Sequence, residues 1–255
     1  MSIVKMIRPW AFSTTWRAVI LGMTAMTLCA PTNAFAATPS ITNGSFESIG
    51  TNTASYLLAP GNGAVLPGWT VTPNASGNGW ACVVVGGVND LCGYSFTVFP
   101  GTSPSGGNFL ASDANSSYAQ TISQTINNLT AGTKYNVSFY QAGAVDPSLT
   151  VATTDQWKVT FGGSTQTSTL MNVPANGVSN WASQSMIFTA TAVSQTLAFL
   201  ALGTPAGLPP MALLDGISIT AVPEPASLAL LALGLAGLAV SRRRKNARPP
   251  RETAG

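Results

Sequence analysis

The chain has no histidine among its 255 residues. That excludes Ser-His and Cys-His nucleophile pairs and histidine-based metal centres. Charge is nearly as scarce, at 7% of residues, and the formal net charge of +3 belongs to the two ends. Lys5, Arg8 and Arg17 stand near the start, and Arg242, Arg243, Arg244, Lys245, Arg248 and Arg251 near the finish. Between them only Lys134 and Lys158 offset Glu47, Asp90, Asp113, Asp146, Asp155 and Asp215. A mildly acidic middle with no cluster of cations excludes a nucleic-acid partner, because phosphate binding needs cations to replace counterions. Long amphipathic helical patterns are also missing from residues 37–221, which excludes a helical bundle.

What is present begins with a three-part leader. Lys5, Arg8 and Arg17 form a basic start, Ala18 to Cys29 an apolar stretch, and Ala34-Phe35-Ala36 a small-residue cleavage site. Residues 1–36 therefore read as a signal peptide cut by signal peptidase after Ala36. The apolar stretch of twelve residues covers only about 18 Å as a helix, short of a bilayer core of ~30 Å.

The other end has its own three parts. Val222-Pro223-Glu224-Pro225 precedes an apolar run from Leu228 to Val240, and Arg242-Arg243-Arg244-Lys245 closes it. The prolines stop any helix entering from the preceding domain, and the basic cluster favours the cytoplasmic side of a membrane. The run is short for a permanent transmembrane helix. Residues 222–245 resemble the PEP-CTERM sorting signal, with Pro223, Glu224, Pro225, Arg242, Arg243 and Arg244 as its marks. The resemblance implies an exported protein of an exopolysaccharide-making Gram-negative bacterium, handled by an exosortase. It further implies a transient inner-membrane stage, and then the cell surface or extracellular matrix. Residues 246–255 read as a disordered cytoplasmic tail.

Residues 37–221 are rich in Thr, Ser, Asn, Gly and Val, a composition for strands and tight turns. Alternating or β-prone stretches occur at Ala119–Ile126, Tyr135–Gln141, Gln156–Phe161, Trp181–Ala190, Gln195–Leu202 and Ala212–Thr220. Turn residues separate them: Asn127-Asn128 with Ala131-Gly132, Gly162-Gly163, and Asn176-Gly177. Tyr135, Val137 and Phe139 share one face and should point inward. Trp69 and Trp181 suit a core. The expectation is an all-β fold, a single sandwich. Cys82 and Cys92 are the cysteines left after leader removal, and in an oxidising compartment they invite a disulfide.

A series of landmarks runs through this region: Asn43-Gly44-Ser45-Phe46-Glu47, Leu66-Pro67-Gly68-Trp69, Gly106-Gly107-Asn108-Phe109-Leu110, Gln120 to Ile126, Leu129 to Tyr135, and Leu213-Leu214-Asp215-Gly216-Ile217. It resembles galactose-binding-like jelly-roll domains, including the DUF642 group and family 4/9 carbohydrate-binding modules. In such domains the first and last strands lie together, and carboxylates equivalent to Glu47 and Asp215 hold a structural calcium. The stretch from Cys82 to Phe99 matches no pattern of that kind.

Sugar sites use aromatic rings as apolar platforms with polar groups around them. Trp80, Tyr94, Tyr118 and Trp157 lie in or beside polar, Gly-rich segments and are the candidate platforms. Asn108, Asp113 and Gln124 are candidate hydrogen-bonding groups. The leading expectation is a non-catalytic domain that binds exopolysaccharide or another glycan. A structural or protein-binding matrix protein without a sugar site is the alternative. A carboxylate glycoside hydrolase would need Glu47 and Asp215 across a cleft at about 5–10 Å, and nothing in their flanks marks one.

Overall fold

The computed structural model describes residues 37–61, 64–86, 88–93, 95–96, 98–145, 150–206, 210–223 and 226–246. The leader and Tyr94 lie outside the described residues. Twelve strands and one helix are described: β1 (Tyr56–Leu57), β2 (Thr70–Thr72), β3 (Ala81–Val84), β4 (Phe109–Asp113), β5 (Thr121–Ile126), β6 (Lys134–Val145), β7 (Thr153–Phe161), β8 (Ser164–Thr167), β9 (Met171–Val173), β10 (Ala182–Thr189), β11 (Gln195–Thr204), β12 (Pro210–Ala221) and α1 (Ala226–Asn246).

The strands form two antiparallel sheets. Sheet A runs β1-β3-β4-β12-β6-β10 and sheet B runs β2-β5-β11-β7-β8, with β9 also paired to β7. From β4 onward the chain passes repeatedly between the sheets, as a jelly-roll sandwich does. All six strand-like stretches of the sequence form strands. β6 shows why: Tyr135, Val137 and Phe139 are buried while Lys134, Asn136 and Ser138 alternate outward. This is the period-2 pattern of a half-buried strand. Asn128 and Asn176 take positive φ at their turns, at 61° and 56°, where an asparagine tolerates the left-handed region.

Two cores result. The first lies between the sheets, with Phe199 against the rings of Trp69, Phe139 and Trp157. Phe199 meets Phe139 edge-on at 5.3 Å and Trp157 edge-on at 6.2 Å. The second covers the outer face of sheet A and holds Cys82, Val84, Leu91, Phe96, Phe109, Ala142, Met211 and Leu213. The unplaced stretch after Cys82 is thus a flap. It is tied by the Cys82–Cys92 disulfide, whose Cα atoms are 5.9 Å apart. Asn89 and Phe96 also exchange hydrogen bonds of 2.7 and 3.1 Å across it. Trp181 belongs here rather than between the sheets, packed edge-on against Phe109 at 5.4 Å.

The helix corrects the reading of the C-terminal end. α1 has 21 residues and includes Asn246, which the sequence reading placed in the tail. Its apolar part nevertheless stops at Val240, before the arginines. No helix among the described residues is long and apolar enough to cross a membrane.

Candidate functional site

The candidate site centres on the turn that carries Tyr118. Asp113 ends β4 and accepts the Asn115 amide at 2.7 Å. The Asn115 carbonyl then takes the amides of Tyr118 and Ala119 at 2.9 and 2.7 Å. From the other side the Asn74 amide group donates to the Ser116 and Ser117 carbonyls at 3.2 and 2.7 Å. The Trp80 amide donates to the Tyr118 carbonyl at 2.9 Å. The result is an aromatic side chain 49% exposed on a turn fixed from three directions. Ser116 and Ala119, either side of it, line a cavity of about 420 Å³ with Asn74, Thr121, Leu200 and Leu202. Apolar walls from β11 and polar groups from the turns give that cavity two kinds of surface.

Among the described residues, the other expected sugar contacts are held within the fold to differing degrees. Trp157 is fully buried, and its indole N–H donates to the Leu213 carbonyl at 3.0 Å. It cannot be a platform. The alternation of β7 faces it into the sandwich, a consequence hidden by its polar neighbours. Trp80 is half-buried against the second core. Asn108 is buried and ties three segments: it donates to the Phe46 carbonyl, accepts from Gly86, and gives its amide to Glu47, all at 2.8–2.9 Å. Gln124 holds Thr42 and Gly68 by three bonds of 2.6–2.9 Å. Asp113 is buried and accepts the Asn115 amide at the start of the Tyr118 turn.

Glu47 and Asp215 are brought into one neighbourhood. The N-terminal segment runs beside β12, where the Ile217 amide donates to the Gly44 carbonyl at 2.9 Å. The Glu47 carboxylate accepts the Asn108 amide and sits directly over Gly107, where a Cβ would overlap it. Asp215 is fully buried. One of its oxygens takes the Gly216 amide at 2.7 Å, and the other has no hydrogen-bond partner. Burial, and less so the Glu47 charge, push the Asp215 carboxyl up to about 7 against the Ser103 and Gly216 hydrogen bonds. An orphaned carboxylate oxygen beside a second carboxylate fits a hard cation, so Glu47 and Asp215 fit the calcium expected of them. As a hydrolase pair they do not fit. Asp215 has no exposed surface, and a buried carboxylate cannot reach a glycosidic oxygen.

A second groove of about 370 Å³, on the outer face of β6, β10 and β12, escaped the sequence reading. It holds Asn136, Ser138, Tyr140, Ser183, Ser185 and Ser218. Its polar groups largely satisfy one another: Ser138 and Ser218 hydroxyls are 2.8 Å apart, and Ser185 donates to Asn136 at 2.6 Å. Alternate outward positions on three adjacent strands are the signal that could have found it.

At the carboxyl end, Pro223 and the backbone of residues 226–246 are described, while Glu224 and Pro225 are not. Arg242 and Arg243 are exposed beyond the apolar part of α1. Residues 221–245 match the model of the PEP-CTERM protein-sorting motif. The chain carries a PEP-CTERM sorting motif. The PEP-CTERM motif marks the protein as exported and exosortase-processed, in keeping with a cell-surface location.

No curated protein matches the chain. Among solved structures it is similar to TmCBM61, determined in complex with β-1,4-galactotriose, at 14% identity and a TM-score of 0.41, covering 73% of this chain and 100% of that one. A family 4 carbohydrate-binding module is similar at 14% identity and a TM-score of 0.34, covering 71% and 99%. The enzymatically active domain of tailspike protein 4 of bacteriophage CBA120 is similar at 14% identity and a TM-score of 0.39, covering 72% and 21%. The sandwich itself is established by the strand pairings of this chain.

Proposed function

We propose that this is an exported matrix or cell-surface protein whose sandwich binds a polysaccharide without cleaving it. Signal peptidase removes the leader, and an exosortase acts on the PEP-CTERM end. The observation that carries the binding reading is Tyr118, an exposed ring on a fixed turn beside a cavity with apolar walls and polar rims. A pyranose has the same two-sided chemistry, with C–H faces that stack on a ring and hydroxyls that bond at the edge. Ordering the turn in advance lowers the entropy cost of capture. A calcium ion held by Glu47 and Asp215 would tie the N-terminal segment to β12 and supply charge compensation, not chemistry on the sugar.

The test is affinity electrophoresis of the protein in gels containing the exopolysaccharide of the producing cells. Retardation that falls at least about tenfold in Tyr118→Ala, with the fold intact by circular dichroism, supports the reading. Equal retardation of wild type and variant, or none for either, refutes it and favours a structural or protein-binding role.

A further inference from the structure

Lys158 holds a place in the sandwich that the fold does not account for. Residues 37–221 contain two lysines, and the other, Lys134, opens β6 in sheet A. Lys158 lies within β7, where alternation turns it to the outer face of sheet B with Gln156 and Thr160, while Asp155 and Trp157 are turned inward and buried. Its partners across the neighbouring strands are Leu200 of β11 and Thr167 of β8. Leu200 is paired in turn with Thr121 of β5. One row over four strands therefore reads Thr121, Leu200, Lys158, Thr167. Leu202, paired with Gln156, stands diagonal to Lys158.

Thr121, Leu200 and Leu202 all line the 420 Å³ cavity beside Tyr118. Directly opposed side chains on antiparallel strands are about 4.5–5.5 Å apart, and diagonal ones about 7–8 Å. A lysine covers apolar neighbours at such distances with its four-carbon stem and keeps the ammonium in water. Lys158 is half-buried, as that posture requires. Its charge thus belongs to the rim of the cavity.

That charge has no counterpart in the protein. Among the described residues no carboxylate pairs with Lys158. β5, β8 and β11, the strands around it, contain no charged residue. The cavity lining is neutral as well. Asp113 and Asp155 precede or pair with the lining residues Ala114 and Gly203, yet both are buried, and burial favours the neutral form of Asp155. An anionic group on a ligand in the cavity would therefore meet one solvated positive charge at the rim and no solvated negative one.

We propose that the polysaccharide held at the Tyr118 cavity is an acidic one, and that Lys158 selects it by receiving a carboxylate across Leu200. This rests on the sugar reading of that cavity and adds the class of sugar it takes. Stacking on Tyr118 is indifferent to charge, whereas Lys158 acts as a point charge whose contribution falls with salt.

The test uses the exopolysaccharide of the producing cells in three forms. One is native. One is reduced with carbodiimide and borohydride, which turns every carboxyl group into a neutral alcohol. One is treated with mild acid, which removes only ketal-linked pyruvate. Affinity electrophoresis compares wild type, Lys158→Gln, Lys158→Arg, Lys134→Gln and Tyr118→Ala on each, with the fold checked by circular dichroism. Wild type should bind the native polymer about fivefold more tightly than the reduced one. Lys158→Gln should lose that advantage, Lys158→Arg should keep most of it, and Lys134→Gln should match wild type. Pull-down onto the immobilised polymer in about 1 M salt, where screening acts within about 3 Å, should erase it. Retention after mild acid assigns the carboxylate to a uronic acid, and loss there assigns it to a pyruvate ketal. Equal binding of native and reduced polymers, or native binding unchanged in Lys158→Gln, overturns the proposal; if Tyr118→Ala still weakens binding, the sugar reading survives it. No binding of wild type to any of the three refutes the sugar reading and this inference with it.

Discussion

Removing the Cys82–Cys92 bond should destabilise the domain by an amount set by the loop it closes. The cysteines are 10 positions apart, so the closed loop has about 11 residues. The chain-entropy model then gives about 9 cal/mol/K, or about 3 kcal/mol at 25 °C. A domain of about 185 residues unfolds with an entropy near 390 cal/mol/K, so the melting temperature should fall by about 7 °C. Choice of variant matters, because Cys82 is fully buried in the second core and Cys92 half-buried at its rim. A serine at 82 would bury a hydroxyl and add its own cost, so the clean pair is Cys82→Ala with Cys92→Ser. The flap keeps the Asn89–Phe96 bonds and its apolar packing, so native near-ultraviolet circular dichroism should be retained. Calorimetry of wild type, variant and reduced wild type checks it. A shift under about 2 °C would refute the entropic reasoning. A much larger shift with loss of the Trp181 signal would show that the bond holds the flap in the native state.

In the presence of chelator, stability should fall as pH rises from about 4 to about 7. The folded Asp215 carboxyl titrates near 7, above the ordinary carboxylate range, so its neutral form favours folding and that advantage is lost as it ionises. Urea midpoints should show the slope, Asp215→Asn should lessen it while the buried Asp155 carboxyl, also raised, keeps the remainder, and a slope unchanged by that variant would dismiss the assignment. Trp157→Phe should cost about 2 kcal/mol through the lost bond to the Leu213 carbonyl and the smaller ring. It should leave polysaccharide affinity alone, so weakened binding in a folded variant would restore Trp157 to the site. Gly107→Ala should cost about 1–2 kcal/mol, since φ is 61° there and a Cβ would displace the Glu47 carboxylate; denaturant unfolding measures this.

The sandwich was legible where strands are half-buried and alternate. β5, β7, β10 and β11, with the first half of β6 and the last half of β12, announce themselves that way. β1, β2 and β9 have two or three residues each, too few to show a period. β3 and β4 are buried on both faces, so alternation is erased. Site residues fared worse for a related reason. Trp157 and Asn108 have polar neighbours in sequence, yet one is turned into the core and the other spent on backbone groups. Tyr118 stayed exposed because Asp113, Asn115 and Asn74 hold its turn. Asp155 gave no sign, since an aspartate between threonine and glutamine looks like surface. Only the inward phase of β7 shows that it is buried.

The C-terminal helix invites one more experiment, because its apolar length falls between a core helix and a span. From Leu228 to Val240 it covers about 20 Å at 1.5 Å per residue, against a hydrocarbon core of ~30 Å. Leu230, Leu231, Leu233, Leu235 and Leu238 are all more than half exposed, so this segment has an apolar surface on every side and the arginines fix its end. A segment of that length is costly to hold permanently in a bilayer, through thinning or tilting of its surroundings, and release after processing removes the cost. Inserting seven leucines after Leu238 would bring the run to about 20 residues, enough to span. The lengthened protein should remain in the membrane fraction, while the wild type is released by the producing cells. Cell fractionation with an antibody to the sandwich decides it. Equal release of both would mean that recognition of the PEP-CTERM residues alone governs processing and that apolar length has no part in it.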